Sequence, residues 1–449
     1  MNFVIPSDVK YIIDTLYHNG FEAFIVGGCV RDFLLNVTPK DFDITTSALP
    51  EDILKLFNKT IPTGIDHGTV TVVLNKENFE VTTFRKDGDY LDHRKPSSVE
   101  FVSNIKEDLS RRDFTVNALA FNEKVGVIDY FNGISDLKNK VIRAVGNPDT
   151  RFKEDALRML RAIRFSSQLD FIIDEDTLSA IRSNKDLINN ISKERIRDEL
   201  CKILISNNPS KGFNHLKDTG LLEIILPDIN NLVGFCNLFS EKHHNSDIFL
   251  HTLQVIENVE NSLVLRLAAL FHDMGKISTL KRYENGLLGF PNHHLVGSEM
   301  VEKTLSDLRF DNKTIKSVSK IIKYHLVLEP NYLPSKYEIK KLILNIGIEN
   351  IFNVFSIQRA DIKTLKNPSD IFFEKIDFME TTVRNILENQ EPLFIKDLKI
   401  TGNDLISEFN LKGKSIGETL DYLLDEVLKD ESLNNREDLL LLTRKYINT

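Results

Sequence analysis

The chain has 449 residues, 41% of them hydrophobic and 27% charged, with a formal net charge of −9. This composition excludes a disordered chain, and the acidic balance excludes a protein that is basic all over, so any RNA contact must come from local patches. No apolar run reaches the roughly 18 residues of a membrane-crossing helix, and the start "MNFVIPSDVKYIID" has neither the basic segment nor the cleavage site of a secretory signal. Cys29, Cys201 and Cys236 are too far apart for a metal spacing and read as reduced thiols of a cytoplasmic protein. In chain order, "SDVKYIIDTLYHNG" predicts an amphipathic helix with Ser7 as N-cap and Asn19-Gly20 as its stop. "FEAFIV" predicts a strand, and "HGTVTVVL" and "FEVTTFR" alternate around "NKEN" as a hairpin. After about residue 145 the pattern is almost wholly helical. The expected class is α+β: an α/β head over 1–140, then an all-α neck (141–225), body (226–375) and tail (376–449).

The first chemistry lies in "FIVGGCVRDFLLNVTPKDFDI". Side chains alternate along a strand, so Asp41 and Asp43 share a face while Phe42 and Ile44 turn to the core. Two like charges on one face need a cation between them, and hard carboxylate oxygens with phosphate co-ligands suit Mg²⁺. Such ions activate an attacking hydroxyl and stabilise a leaving pyrophosphate. Gly27 and Gly28 let backbone amides approach a triphosphate at a helix start, and Arg31 is placed to meet a phosphate. Glu80 in "FEVTTF" is the candidate third carboxylate, since Phe79 and Val81 would face the core. Either motif alone is common as a turn or a solvated edge; their separation by one short helix is what points to a site.

The stretches "GGCVRDFLLNVTPKDFDI", "RRDFTVNALAFN" and "RFKEDALRMLRAIRF" come in the order and spacing of class II tRNA nucleotidyltransferases, which include CCA-adding enzymes and bacterial poly(A) polymerases. The chain resembles that family over nearly its whole length. One departure is Asn36, where the family usually has glycine, a change expected to alter a turn and not the chemistry. The resemblance implies a polymerase β-like small mixed sheet in the head. It also implies a triphosphate site at Gly28 and Arg31, metal ligands at Asp41 and Asp43, and nucleotide contacts at Arg112, Asp155, Arg158, Arg161 and Arg164. The partners implied are CTP, ATP and the 3′ end of tRNA.

The neck motif has a chemical reading of its own. Met159, Leu160 and Ile163 fall on one side of a helix, and Arg158, Arg161 and Arg164 fall mostly on the other, with Asp155 one turn earlier. Cytosine and adenine each offer an amino donor beside a ring-nitrogen acceptor; uracil and guanine offer a ring N–H beside a carbonyl. Asp only accepts and Arg only donates, so an Asp155/Arg158 pair complements C and A and opposes U and G. A solvated face with an i,i+3 ion pair is the structural alternative. The segment "RKDGDYLDHRKPSSVEF" reads as a loop, matching in place and length the family's flexible loop for terminal A addition. "SKERIRDEL" offers cations for RNA phosphates or a solvated helix face. The tail "TGNDLISEFNLKGKSIGETL" supports the outer part of tRNA by resemblance only.

A second constellation combines His251, the doublet His272-Asp273, and Asp361, and is similar to the HD phosphohydrolase superfamily. Imidazoles with carboxylates suit Mn²⁺, Ni²⁺ or Fe²⁺, or else Mg²⁺, and His293 (or His294) and His325 match added histidines in some members. Relatives with this domain act on 2′,3′-cyclic phosphates and 2′-phosphates at RNA ends. The primary expectation is template-independent CCA addition with RNA end repair. A-only addition, poly(A) synthesis, a phosphohydrolase as main activity and a non-catalytic RNA-binding protein stand beside it.

Overall fold

A computed structural model of the protein describes residues 3–88, 98–235, 247–284, 288–326, 332–366 and 368–448. The chain forms two compact units, Met1–Asn230 and Asn231–Thr449.

The first unit begins with helix Ser7–His18, whose Val9, Ile12, Ile13 and Leu16 are buried. Ser7 was expected as its N-cap, but Pro6 occupies that position and the Ser7 side chain makes no capping bond. Asn19 and Gly20 end the helix as read, Gly20 at a φ of 87°. Seven strands form one mixed sheet: β1 (Ala23–Val26), β2 (Asp43–Thr46), β3 (Thr60–Gly64), β4 (Thr69–Leu74), β5 (Glu77–Thr83), β6 (Leu119–Asn122) and β7 (Gly126–Asp129). Their order is β3-β4-β5-β2-β1-β6-β7, and only the β2–β5 pair is parallel. The β4–β5 hairpin turns on Asn75 and Lys76, both at positive φ, the geometry of a two-residue turn that follows the strand twist. Phe24, Val26, Phe84, Ile105, Leu109 and Ala120 make a core cluster that includes sheet residues.

From residue 145 this unit is helical except for one short strand. Helix Leu157–Leu169 lies at its centre, with every residue from Leu157 to Ser167 buried except the partly exposed Arg161 and Arg164. The second unit is almost wholly helical. Its C-terminal helices Gly402–Phe409, Lys414–Lys429 and Arg436–Ile447 close over Leu405, Leu423, Val427 and Leu439. The class is α+β, a mixed sheet followed by a mostly helical body. Among the described residues, no helix is long and apolar enough to cross a membrane.

Candidate active site

Strand β1 ends at Gly27, whose φ of 81° and ψ of −130° lie in a region that L side chains rarely enter. A Cβ there would stand 3.0 Å from Arg112 Nη1, so this glycine also lets an arginine come close. Helix Gly28–Leu34 follows and carries Arg31. Asn36, at a φ of 58°, takes the left-handed conformation that asparagine tolerates, which accounts for its replacing glycine in the turn.

Strand β2 starts at Asp43, so Asp41 lies on the approach loop and not on the strand. Ile44 is buried, as the alternation required; Phe42, expected to turn to the core with it, precedes the strand instead, is half-buried beside Phe33 and lines the same cavity as the two aspartates. Val81 of β5 pairs with Ile44, and continuing that register sets Glu80 beside Asp43. Thr71 of β4 pairs with Glu80 on the far side. Asp41, Asp43, Glu80 and Thr71 therefore line one cavity of about 850 Å³, with Lys40 at its wall. Asp43 is open to the cavity, yet partial desolvation by the protein around it raises its pKa; Arg112 opposes this shift and the charge of Asp41 adds to it. A raised carboxyl beside a second acid is the electrostatic signature of a place that a cation would relieve.

The RRDF segment joins this region to the neck helix. Arg31 Nη1 donates to Asn117 Oδ1 at 2.7 Å, and Asn117 Nδ2 donates to Asp113 Oδ1 at 3.2 Å. Arg161 donates to Asp113 Oδ2 through Nε (2.7 Å) and Nη2 (2.5 Å). Burial pushes the Asp113 carboxyl up, but the Arg161 charge and hydrogen bonds, with Arg158 and Asn117, bring it to about 2. Arg164 pairs with Glu199 at 2.9 Å and is lowered to about 10, chiefly by burial. Arg31, Arg161 and Arg164 all lie over the ring of Phe165, at 5.3, 5.5 and 4.1 Å from its centroid. Arg112 pairs with Asp108 at 3.5 Å, and its buried Nε has no hydrogen-bond partner.

Asp155 was read as the start of the arginine row on the helix. It lies instead at the break between helices Pro148–Glu154 and Leu157–Leu169, at a φ of −139°. Its carboxylate accepts the Leu157 amide and the guanidinium of Arg195. Arg158, 9% exposed, donates to Glu154 at 2.6 Å and to the Arg111 carbonyl at 3.0 Å. The solvated i,i+3 pair of the structural alternative does not form, because Asp155 and Arg158 each bond to other partners; Arg161, Arg164 and Gln168 make the partly exposed side of the helix. "SKERIRDEL" does not present a free basic stripe either: Arg195 turns to Asp155, and Glu199 to Arg164. Asp113, Asn117, Glu154, Phe165 and Arg195 were not singled out from sequence. Asp113 and Asn117 sit inside the quoted RRDF motif and Glu154 and Phe165 inside the quoted neck motif, whereas Arg195 was read only as one of the cations of "SKERIRDEL". The loop expected between the hairpin and RRDF falls mostly on 89–97, outside the described residues, as does Cys236.

Residues 23–143 match the family model of the poly A polymerase head domain, and 170–232 that of a probable RNA and SrmB-binding site of polymerase A. Residues 293–442 match a putative domain 2 of tRNA nucleotidyltransferases. The chain is 35% identical to a CCA-adding enzyme of Ligilactobacillus salivarius, across 99% of this chain and 98% of that protein. The chain belongs to the CCA-adding enzyme family. A Lactobacillus helveticus CCA-adding enzyme is 36% identical across 97% of this chain and 95% of its own length. The Bacillus stearothermophilus CCA-adding enzyme, in a crystal structure with CTP, shares the fold at a TM-score of 0.74 and 28% identity, covering 99% of both chains. A Thermotoga maritima CCA-adding enzyme complexed with tRNA has the same fold at a TM-score of 0.61 and 20% identity, over 99% of this chain and 96% of that one.

This member of the CCA-adding family also gathers the HD residues in its second unit. His251 comes from helix Ile248–Asn258, His272 and Asp273 follow helix Leu263–Phe271, and His293 opens helix His293–Asp307. His325 follows helix Asn312–Lys323, and Asp361 lies on helix Ile348–Lys363. Ligand atoms of His251, His272 and Asp361 lie within 4.8 Å of one another, and so do those of Asp273, His293 and His325. Asp273 Oδ2 is 3.4 Å from His251 Nε2 and 3.2 Å from His272 Nε2, while its Oδ1 is 3.6 Å from His293 Nε2, which links the two groups.

The tautomers follow from the outer partners. His272, His293 and His325 donate Nδ1–H to the carbonyls of Ala269, Phe290 and Ile322. The Thr364 hydroxyl donates to the Asp361 carbonyl, so His251 Nδ1–H donates to Thr364 Oγ1. The four Nε2 atoms turn inward, those of His251 and His272 lying 3.2 Å apart and that of His251 3.2 Å from Asp361 Oδ1, which is how a metal-binding imidazole is held. His293 Nε2 is buried with no hydrogen-bond partner. Burial, with the charges of His272 and His293, pushes His325 down to about 3, so it stays neutral. Burial works to raise Asp273 and Asp361, but the charges and hydrogen bonds of His251 and His272, with Lys276 at Asp273, hold both low, while the charge of Asp273 opposes the ionisation of Asp361. The donor set fits a divalent ion, and Lys276, 2.5 Å from Asp273 Oδ2, supplies one further cation.

Proposed function

We propose that the protein adds C, C and A in turn to the 3′ end of tRNA, taking CTP and ATP and using no template. The relatives spanning the whole chain are named CCA-adding enzymes, which favours this over A-only addition, poly(A) synthesis, a leading phosphohydrolase or a non-catalytic role. The observation that carries the chemistry is the row Asp41, Asp43 and Glu80 on one cavity, with the charge of Arg112 acting on Asp43 and Arg31 linked through Asn117 and Asp113 to Arg161 of the neck helix. Nucleotidyltransferases of this family use a divalent metal ion. Mg²⁺ on Asp41 and Asp43, with Glu80 as third carboxylate, supplies charge neutralisation at the α-phosphate and acidifies the attacking 3′ hydroxyl.

The chain's own groups do the rest. Gly28 and Arg31 hold the triphosphate, Arg112 contacts the nucleotide, and Arg161 and Arg164 stack with Phe165 to keep a cationic wall beside it. Asp155 accepts the amino group of cytosine or adenine, and Arg158 donates to the neighbouring ring nitrogen. The head (1–140) carries the chemistry, the neck (141–225) the selection, the body (226–375) the HD site and the tail (376–449) the outer part of tRNA, in a cytoplasmic enzyme. The test is Asp43→Ala: labelled CMP and AMP incorporation falls by several orders of magnitude at unchanged tRNA affinity. Retained incorporation contradicts the assignment.

A second activity is favoured by the four inward Nε2 atoms and the orphaned His293 Nε2. We propose that His251, His272, Asp273 and Asp361, extended by His293 and His325, bind Mn²⁺, Ni²⁺, Fe²⁺ or Mg²⁺ and hydrolyse phosphate esters at RNA ends. A bound ion there supplies Lewis acidity and acidifies water. Metal content of the purified protein, read by mass spectrometry, should be lost in Asp273→Ala; a variant that keeps its metal contradicts the site.

A further inference from the structure

The nearest partner of Asp155 from another helix is Arg195, forty residues further along the chain, on helix Lys193–Leu204. Its Nη1 and Nη2 donate to Asp155 Oδ1 and Oδ2 at 3.3 and 2.8 Å, a two-pronged pairing that fixes the plane of a carboxylate as well as its charge. The Leu157 amide donates to Oδ1 at 3.1 Å. Oδ1 therefore accepts two donors and Oδ2 one, which leaves Oδ2 with spare acceptor capacity. The pair is mostly shielded, with the side chains 25% and 16% exposed, so this is not a freely solvated ion pair.

We propose that Arg195 is a positioning residue for nucleotide selection: it holds the Asp155 carboxylate in a fixed orientation with Oδ2 open to an exocyclic amino group. The proposal rests on the reading that Asp155 and Arg158 read the base. A carboxylate free to rotate presents its acceptor to the amino group of cytosine or adenine only part of the time and admits other bases when it is turned away. Arg195 removes that freedom, so its effect is on discrimination more than on chemistry. Glu154 stands in the mirror role, accepting from Arg158 at 2.6 Å and so fixing the donor of the pair.

The experiment measures single-nucleotide incorporation on tRNA substrates with CTP, ATP, UTP and GTP for the parent, Arg195→Ala, Arg195→Lys and Asp155→Ala, with tRNA affinity and melting temperature alongside. Arg195→Ala should raise the UTP:CTP ratio of kcat/KM by roughly ten-fold or more, mainly through KM for CTP, at unchanged tRNA affinity. Arg195→Lys keeps the charge without the fork and should fall between the two; it carries the test if the alanine variant does not fold. An equal loss with all four nucleotides overturns the proposal, and so does a weakened tRNA affinity at unchanged discrimination. If Asp155→Ala itself keeps the preference for CTP and ATP, the base-reading assignment fails, a result distinct from the failure of Arg195 alone.

Discussion

Arg158 can only donate and Asp155 can only accept, and in the proposed reading of the base selection follows from what each refuses. A base that presents a ring N–H to Arg158 leaves two donors facing each other in a desolvated place, which costs more than a matched pair gains. Arg158→Ala should therefore erode the preference for CTP and ATP over UTP and GTP, by roughly ten- to a hundred-fold, in single-nucleotide incorporation. A preserved preference contradicts the reading. A few residues away, Asp113 makes a prediction about stability. Its folded pKa of about 2 lies below the ordinary 3.8, so its contribution is present above about pH 4 and is lost as pH falls toward 2. That contribution is on the order of 2 kcal/mol at neutral pH. Melting curves of Asp113→Asn should run below the parent at pH 6 and converge with it between pH 4 and pH 2; a constant gap contradicts the pairing with Arg161.

At the scale of elements, the turn after β1 is the hinge of the site. Gly27→Ala forces an L side chain into a backbone region costing about 1–3 kcal/mol and sets its Cβ against Arg112. Its expected effect is a raised KM for nucleotide together with a lower melting temperature; an unchanged KM means that the turn does not shape the pocket. This turn and the start of β2 were legible in sequence, because their information is local: glycine for a special φ, and alternation that sends Ile44 inward and Asp43 outward, a rule that does not reach Asp41 and Phe42 on the loop before it. The hairpin was legible for the same reason. Three features were not. The break at Asp155 interrupts a pattern that reads as continuous helix, since nothing in "KEDALRM" forbids helix there. The partners Arg195 and Glu199 come from another helix, and sequence periodicity says nothing of which helices touch. The extent of the neck helix's burial was hidden by its three arginines, which mimic a wet face and are instead paired with Glu154, Asp113 and Glu199. The HD residues could be chosen by type and order, but their tautomers depend on carbonyls that only the fold supplies.

At the scale of the whole molecule, the two metal-type centres fall in separate compact units. Each unit has its own buried core, so each centre should be separable by substitution. Asp273→Ala should abolish hydrolysis of a 2′,3′-cyclic phosphate RNA end and leave nucleotide incorporation intact, and Asp43→Ala should do the reverse. Loss of both activities in either variant contradicts the assignment of two centres.

The most direct test of the central claim is the sequence of the products that the full chain makes on tRNA ending at the discriminator base, with CTP, ATP or both. The account predicts two cytidines and a stop with CTP alone, and C, C, A and a stop with both nucleotides. Lone adenosines or a poly(A) tail, with no cytidine added, would contradict it.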